Sequence, residues 1–333
     1  MSRLLGIEIG GTKLQLGLGD GYGKLDHLVS LSVDPPRGAR GIRDQILAAF
    51  RSFDVTPSAV GIGFGGPVDA ARGVVTTSNQ ISGWDQFSLV DWVRDQIGVS
   101  IVALQNDSDT AALGEARFGA GQGASPILYV NSGSGIGGGL ILDGKVYQGS
   151  GCGSIEIGHL WIGTTDVLTD APQILILEKI ASGWAVGHAG RLVARHELET
   201  QDPDTSSRSS PSSLLSLAGG FPDRVDAKLV AVSAQHAHPQ GLQILRRATD
   251  AIAQALAHAI TLLAPRRIIL GGGVSLIQDD LWLDPIRKAV DSYVFPPFRG
   301  TFDIQTAALG QDVVVHGALA LARDALRSGQ ENV

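Results

Sequence analysis

Residues 4–18 read LLGIEIGGTKLQLGL, and this stretch decides the fold. Leu4–Ile9 is a short apolar run, Gly10-Gly11-Thr12-Lys13 breaks it, and residues 14–18 alternate apolar with polar or small residues. That is the pattern of two strands joined by a hairpin turn. The pattern returns at residues 127–142, ILYVNSGSGIGGGLIL, read as a strand over 127–130, a glycine-rich turn over 131–139, a strand over 140–142 and the Asp143-Gly144 turn. The repetition predicts two similar α/β halves. Between them, helical spacing marks residues 42–50 and 89–97. A buried-type strand over 60–64 runs into Gly65-Gly66-Pro67, and another over 101–104 delivers Asn106-Asp107. A helix is expected through 111–118, capped by Ser108 or Asp109. Further on, residues 250–263 read as a helix stopped by Pro265, and a strand over 267–270 enters a third glycine turn, Gly271-Gly272-Gly273. Residues 201–213, QDPDTSSRSSPSS, are polar and proline-broken, an exposed loop within the second half.

The 333 residues exceed the usual length of one domain, so two domains are expected, the first over 1–119 plus a terminal helix over 316–333, the second over 120–315. Cys152 is the single cysteine, which excludes an internal disulfide and a cysteine-ligated metal site. No segment supplies the ~20 apolar residues of a membrane span and no signal peptide is read, so a soluble, cytoplasmic protein is expected. A formal charge of -7 argues against a nucleic-acid surface.

Several residues invite a chemical reading beside a structural one. Gly10 and Gly11 are compatible with an ordinary hairpin turn, or with a backbone that wraps phosphate oxygens while Thr12 and Lys13 add donors. The glycines of 133–139 each destabilise a strand by ~0.5–1 kcal/mol, which points to close backbone approach rather than chance. A strand follows them, so they are not a dinucleotide fingerprint. Asn106-Asp107 stands where a helix cap is wanted; with Asp109 able to cap, Asp107 is left as a general base and Asn106 as a substrate contact. Glu156 and His159 in SIEIGHL are three apart and near one another on a helical turn or kink, and Glu178 follows an apolar run, where a surface glutamate is the simpler reading.

In order and approximate spacing these segments resemble the ROK family of repressors and sugar kinases, within the hexokinase, Hsp70 and actin superfamily. GIEIGGTKLQLGL resembles its first phosphate motif, GIGFGGPVD its sugar-side loop, QNDSDTAALGEARFGAG its catalytic segment, NSGSGIGGGLILDGKVYQG its second phosphate motif and RRIILGGGVS its adenosine-side loop. The resemblance implies an α/β, two-domain actin-like ATPase fold, ribonuclease H-like in each half, with an inter-domain cleft. It implies a sugar kinase that transfers the γ-phosphate of ATP, with Mg²⁺, to a hexose hydroxyl. Asp107 would be the catalytic base. Gly66, Asn106, Glu156, His159 and Glu178 would contact the sugar. Gly10, Gly11, Thr12, Lys13, Gly133, Ser134 and Gly135 would face phosphates, and Gly272 and Gly273 the adenosine. Glucose is the first sugar expected, and a homodimer the expected assembly.

The chain departs from the family pattern in places. Residues 158–178 lack the family's zinc-binding cysteines, so no zinc is expected. Glu8 stands for the usual Asp near magnesium, Gly65 for a proline, Ile155 for a glycine before Glu156, and Gln80 where an ungapped match places a sugar-binding asparagine. Polyphosphate-using glucokinases and N-acetylhexosamine kinases resemble the same pattern, as would a sugar-binding protein without catalysis. The repressor class would carry a helix-turn-helix module ahead of the first phosphate motif, and that motif starts here at residue 6.

Overall fold

A computed structural model describes residues 3–78, 80–150, 153–200 and 210–331. Cys152 and most of the loop read at 201–213 lie outside the described residues. The chain begins with β1 (Leu4–Ile9), β2 (Lys13–Gly19) and β3 (Leu25–Ser32), followed by α1 (Gly38–Arg51) and β4 (Ala59–Phe64). Then come the two-residue pair β5 (Val68–Asp69) and β6 (Val74–Val75), α2 (Leu89–Ile97), β7 (Val102–Asn106) and α3 (Asp107–Phe118). The second run is β8 (Ile127–Ser132), β9 (Ile136–Leu142), β10 (Lys145–Val146), β11 (Trp161–Thr165) and β12 (Pro172–Ile176). It continues through α4 (Glu178–Ala181), α5 (Gly183–Thr200), α6 (Leu214–Leu217), α7 (Ala227–Gln235) and α8 (Pro239–Leu263). It ends with β13 (Arg267–Gly271), α9 (Leu283–Tyr293), β14 (Asp303–Thr306) and α10 (Val313–Glu331).

Two five-stranded sheets carry the repetition seen in the sequence: their orders are β3-β2-β1-β4-β7 and β10-β9-β8-β13-β14. In the first, β2 pairs antiparallel with β1 in the register Ile9↔Leu14, which leaves Gly10 to Lys13 as the turn, while β4 and β7 run parallel to β1. The expected hairpin is therefore present. β1 and β4 are buried along their whole length, as parallel central strands are, and their Leu, Ile and Val side chains form the core with α1 and α2. By their contacts the residues fall into two units, Met1–Tyr129 with Gly138–Ile155 and Ala307–Val333, and Val130–Gly137 with Glu156–Thr306. No described helix is long and apolar enough to cross a membrane.

Three sequence readings are corrected. α3 is capped by Asn106 rather than by Ser108 or Asp109, because Asn106 leaves β7 in an extended conformation (ψ 150°) and its side chain accepts from Ser108 N and Asp109 N. The second glycine turn is shorter than 131–139: β9 begins at Ile136, so the later glycines are strand residues. Glycine there answers to packing, since a Cβ on Gly139 would lie 2.8 Å from Ala112 Cβ and 3.0 Å from Asp109 Cα, letting α3 lie directly on the strand. The helix read at 250–263 starts earlier, at Pro239, and ends where Ala264 turns left-handed (φ 43°).

α10 fastens the first unit. It lies across β1 and β4 and against α3, and glycines mark the crossing: a Cβ on Gly61 would overlap the Ala318 carbonyl oxygen, and one on Gly114 would come 2.6 Å from the Val313 oxygen. Ahead of α10 the chain is held by Glu115. This fully buried carboxylate accepts backbone N–H groups from Ala308 (2.9 Å) and Leu309 (2.8 Å) on Oε1 and from Ala120 (2.7 Å) on Oε2. Charge-assisted bonds of this kind are the strong ones. Glu115→Gln keeps the shape but turns an amide donor toward one of these N–H groups. It is expected to cost about 2 kcal/mol in urea unfolding.

Candidate active site

The first unit assembles one group of candidate residues. Asn106 and Asp107 stand at the junction of β7 and α3, where a parallel strand ends and a helix N-terminus presents partial positive charge. Asn106 is committed on both sides of its amide, with Oδ1 accepting from Ser108 N (2.8 Å) and Nδ2 donating to the Gly66 carbonyl (3.1 Å). One amide hydrogen is left for a substrate. The Gly66 bond also ties the Gly65-Gly66-Pro67 loop to the start of α3. Asp107, half-buried, accepts the Ser108 N–H on Oδ1 at 2.8 Å. Its Oδ2 faces the Gly65 backbone: a Cβ on Gly65 would lie 3.3 Å from Oδ2, 3.2 Å from the Ile9 oxygen and 3.4 Å from Gly10 Cα. Glycine at 65 thus lets the Asp107 carboxylate approach the Gly10 to Lys13 turn.

The turn itself closes by a Gly10 N–H bond to the Lys13 carbonyl (2.9 Å). Thr12 is exposed. Lys13 reaches back: its Nζ lies 3.0 Å from Glu8 Oε2 and donates to the Gln311 carbonyl at 2.7 Å. The third ammonium hydrogen is the one available to a phosphate. Glu8 is buried in β1, and burial pushes its carboxyl from the ordinary 4.5 up to about 7, against the pull of Lys13 and with a further push from Asp107 and Asp312.

A carboxyl whose folded pKa exceeds its unfolded one makes the folded state the tighter proton binder. Its contribution to stability is whole below pH 4.5 and is lost as the pH rises through about 7. Glu8→Gln is therefore expected to flatten the fall in unfolding free energy between pH 5 and pH 8 by about 3 kcal/mol, measured by urea denaturation at both pH values. An unchanged slope would remove Glu8 as its source.

The second unit assembles another group. The turn between β8 and β9 is Gly133-Ser134-Gly135, closed by Gly133 N–H to the Gly135 oxygen (2.9 Å) and joined to the first residue of α5 by Gly183 N–H to the Gly133 oxygen (2.8 Å). Glu178 is half-buried at the start of α4 and accepts the Ile136 N–H on Oε2 at 2.8 Å. It braces the turn, which the simple surface reading of Glu178 did not foresee. Gly272 has φ 91°, and a Cβ on it would overlap the Ser132 backbone, so both conformation and space require glycine there. By contrast a Cβ on Gly133 would meet only Asn131 Nδ2 at 3.8 Å, and one on Gly273 would meet nothing within 4 Å. These two backbones are open to an approaching ligand.

Glu156 and His159 are exposed and joined through a 3-10 turn by His159 N–H to the Glu156 oxygen (3.0 Å), and Leu177 N–H, just ahead of Glu178, bonds the Leu160 oxygen (2.8 Å). The β11–β12 hairpin that makes this link occupies the stretch where the sequence lacked cysteines. Among the described residues no group of three or more His, Cys, Asp or Glu could hold a metal ion.

The sequence model of the ROK family matches residues 4–325. A glucokinase from Streptomyces coelicolor is 32% identical over 327 residues, 97% of this chain and 98% of the relative. A glucokinase from Thermotoga maritima is 29% identical over 324 residues, 97% of this chain and 98% of the relative. Among solved structures, the crystal structure of a ROK family glucokinase from Streptomyces griseus in complex with glucose and AMPPNP superposes with a TM-score of 0.80 at 31% identity, covering 97% of this chain and 99% of that one.

Proposed function

The chain belongs to the ROK family, with its two-domain actin-like ATPase fold, and is a hexose kinase; from that premise we propose that it transfers the γ-phosphate of ATP to a hydroxyl of glucose, with Asp107 as general base. The observation that carries the reading is the Asp107 carboxylate, held by Ser108 N–H on one oxygen and turned with the other toward Gly65 and the Gly10 to Lys13 turn. The glucose and AMPPNP bound by the Streptomyces griseus relative support the choice of both substrates.

In this mechanism Asp107 Oδ2 takes the proton of the sugar hydroxyl as its oxygen attacks the γ-phosphorus, and ADP leaves with the electron pair of the broken P–O bond. Such transfers pass through a loose transition state, so the protein supplies position and charge rather than covalent chemistry. Asn106 offers its remaining amide hydrogen to the sugar, and Glu156, His159 and Glu178 are the further hydroxyl partners. The open flanks at Gly133 and Gly273, the turn residues Ser134 and Gly135, and the Gly10 and Gly11 backbone with the Thr12 hydroxyl and Lys13 ammonium are the groups that would take a nucleotide triphosphate.

The donors near Glu8 fit magnesium as well. Asp107, whose Oδ2 faces the Gly10 to Lys13 turn, and Glu8 in the strand before it would hold the ion, since one or two carboxylates together with substrate phosphates, rather than a cage of three or more protein ligands, is how magnesium is bound. Bound there it would neutralise charge on the phosphate oxygens.

The test is ADP release by the purified chain with Mg-ATP across a panel of hexoses and N-acetylhexosamines. Glucose-dependent release supports the reading. Release with another sugar corrects the substrate, and sugar phosphate formed from polyphosphate in the absence of ATP corrects the donor.

A further inference from the structure

We propose that Gln80 is a positioning residue for the Gly10 to Lys13 turn, and that residue 11 is glycine because the Gln80 carboxamide fills the space a side chain there would take. What the turn binds rests on the kinase reading above. A Cβ on Gly11 would overlap Gln80 Oε1, with Gln80 Cδ at 2.6 Å and Gln80 Cβ at 3.1 Å. Gly11 is not among the residues of positive φ, so an L side chain meets no backbone penalty at this position. Only the space is contested.

The rest of the turn has its own fastenings. Gly10 N–H bonds the Lys13 oxygen, the Thr12 oxygen accepts the Val33 N–H at 2.9 Å, and Lys13 is tied to Glu8 and Gln311. At residue 11 the neighbour is Gln80. The segment that carries Gln80 is anchored independently, by buried Ile81 and Trp84, by Ile81 N–H to Ser78 Oγ (3.2 Å) and by Ala39 N–H to the Ser82 oxygen (2.9 Å). The anchored segment thus holds Gln80 Cβ and the carboxamide against Gly11, which is how a residue outside the hairpin would position the turn. Donors held in place in advance bind a phosphate without the cost of ordering the loop.

A rival physical account also gives glycine at 11: a ligand oxygen approaches there and needs the bare backbone. The two accounts separate in a cycle of Gly11→Ala, Gln80→Ala and the double variant in the full chain, read by steady-state kinetics for ATP and by thermal melting. Packing on Gln80 predicts that Gly11→Ala lowers kcat/KM at least about tenfold alone but no more than about threefold when Gln80 is already alanine, with a melting loss relieved in parallel. Gln80→Ala alone should raise the KM for ATP roughly fivefold with kcat within about twofold, the split expected of a looser binding turn and not of a damaged fold. An equal penalty for Gly11→Ala in both backgrounds overturns the proposal. If the wild-type chain releases no ADP with any sugar, the kinase reading falls, and the melting cycle alone decides: non-additive losses keep the Gly11–Gln80 contact, additive losses remove it.

Discussion

Asp107→Asn is expected to lower kcat by about 10²–10⁴ while leaving the affinity for glucose within about threefold of wild type. The amide is nearly isosteric, and its oxygen can still accept the Ser108 N–H that holds Oδ1 at 2.8 Å. Asn106 still caps α3, so neither the helix nor the Gly66 contact is disturbed. What is lost is a group able to take a proton, and with it the negative charge facing the Gly10 to Lys13 turn. Steady-state ADP release gives kcat, and calorimetric titration with glucose gives the affinity in the absence of turnover. A variant that keeps more than about a tenth of wild-type kcat would mean that another group, or water, accepts the hydroxyl proton, and the assignment of Asp107 would fall.

Gly317→Ala is expected to destabilise the chain by about 4 kcal/mol, at the far end of what a single substitution does. Alanine is the better helix former by about 1 kcal/mol, so propensity alone predicts the opposite sign. The added Cβ, however, would overlap the Thr110 carbonyl oxygen and come 3.0 Å from the Thr110 Cγ2. The carbonyl belongs to the backbone of α3, and α3 cannot retreat without carrying Asp107 with it or breaking its contact with β9 through Gly139. Gly329→Ala in the same helix is the control. Its Cβ would meet only Ile101 Cδ1, at 3.6 Å, and there alanine should stabilise by about 0.5–1 kcal/mol. Urea unfolding of the two variants tests the pair of signs. Equal effects would show that α10 does not depend on close approach at Gly317.

The comparison of sequence with structure divides along the range of the physics. The hairpin over Leu4–Ile9 and Lys13–Gly19 was legible because strand alternation and turn chemistry act over a few residues. The same holds for α2, whose bounds match the 89–97 spacing. The cap of α3 was misplaced, because Asn106, Ser108 and Asp109 are all good caps by type and only the ψ of Asn106 at the end of β7 selects among them. By sequence the glycines over 133–139 form one loop, whereas Gly139 belongs to a strand that lies against α3. Composition reports glycine without saying whether a ligand or another backbone takes the space.

Residues with long-range partners were the least legible. Glu115 is one polar residue in a helix by its sequence, and becomes an anchor only because Ala308 and Leu309 are brought to it from across the chain. Lys13 is a turn lysine until Gln311 arrives beside it, and Gln80 a loop glutamine until it lies on Gly11.

By itself, then, the sequence determined the two strand-turn-strand openings, the order of the glycine turns and the strand end that delivers Asn106-Asp107, since these follow from period, turn type and motif order along the chain. The tertiary structure alone decided which glycines face open space and which face another backbone, that Asn106 divides its amide between α3 and Gly66, that Glu8 is buried enough to hold its proton to about 7, that Gln80 lies on Gly11, and that Glu115 holds the chain ahead of α10. The reason is that burial, electrostatic environment and steric contact are properties of what the folded chain brings near a residue, and no local pattern encodes a neighbour hundreds of positions away.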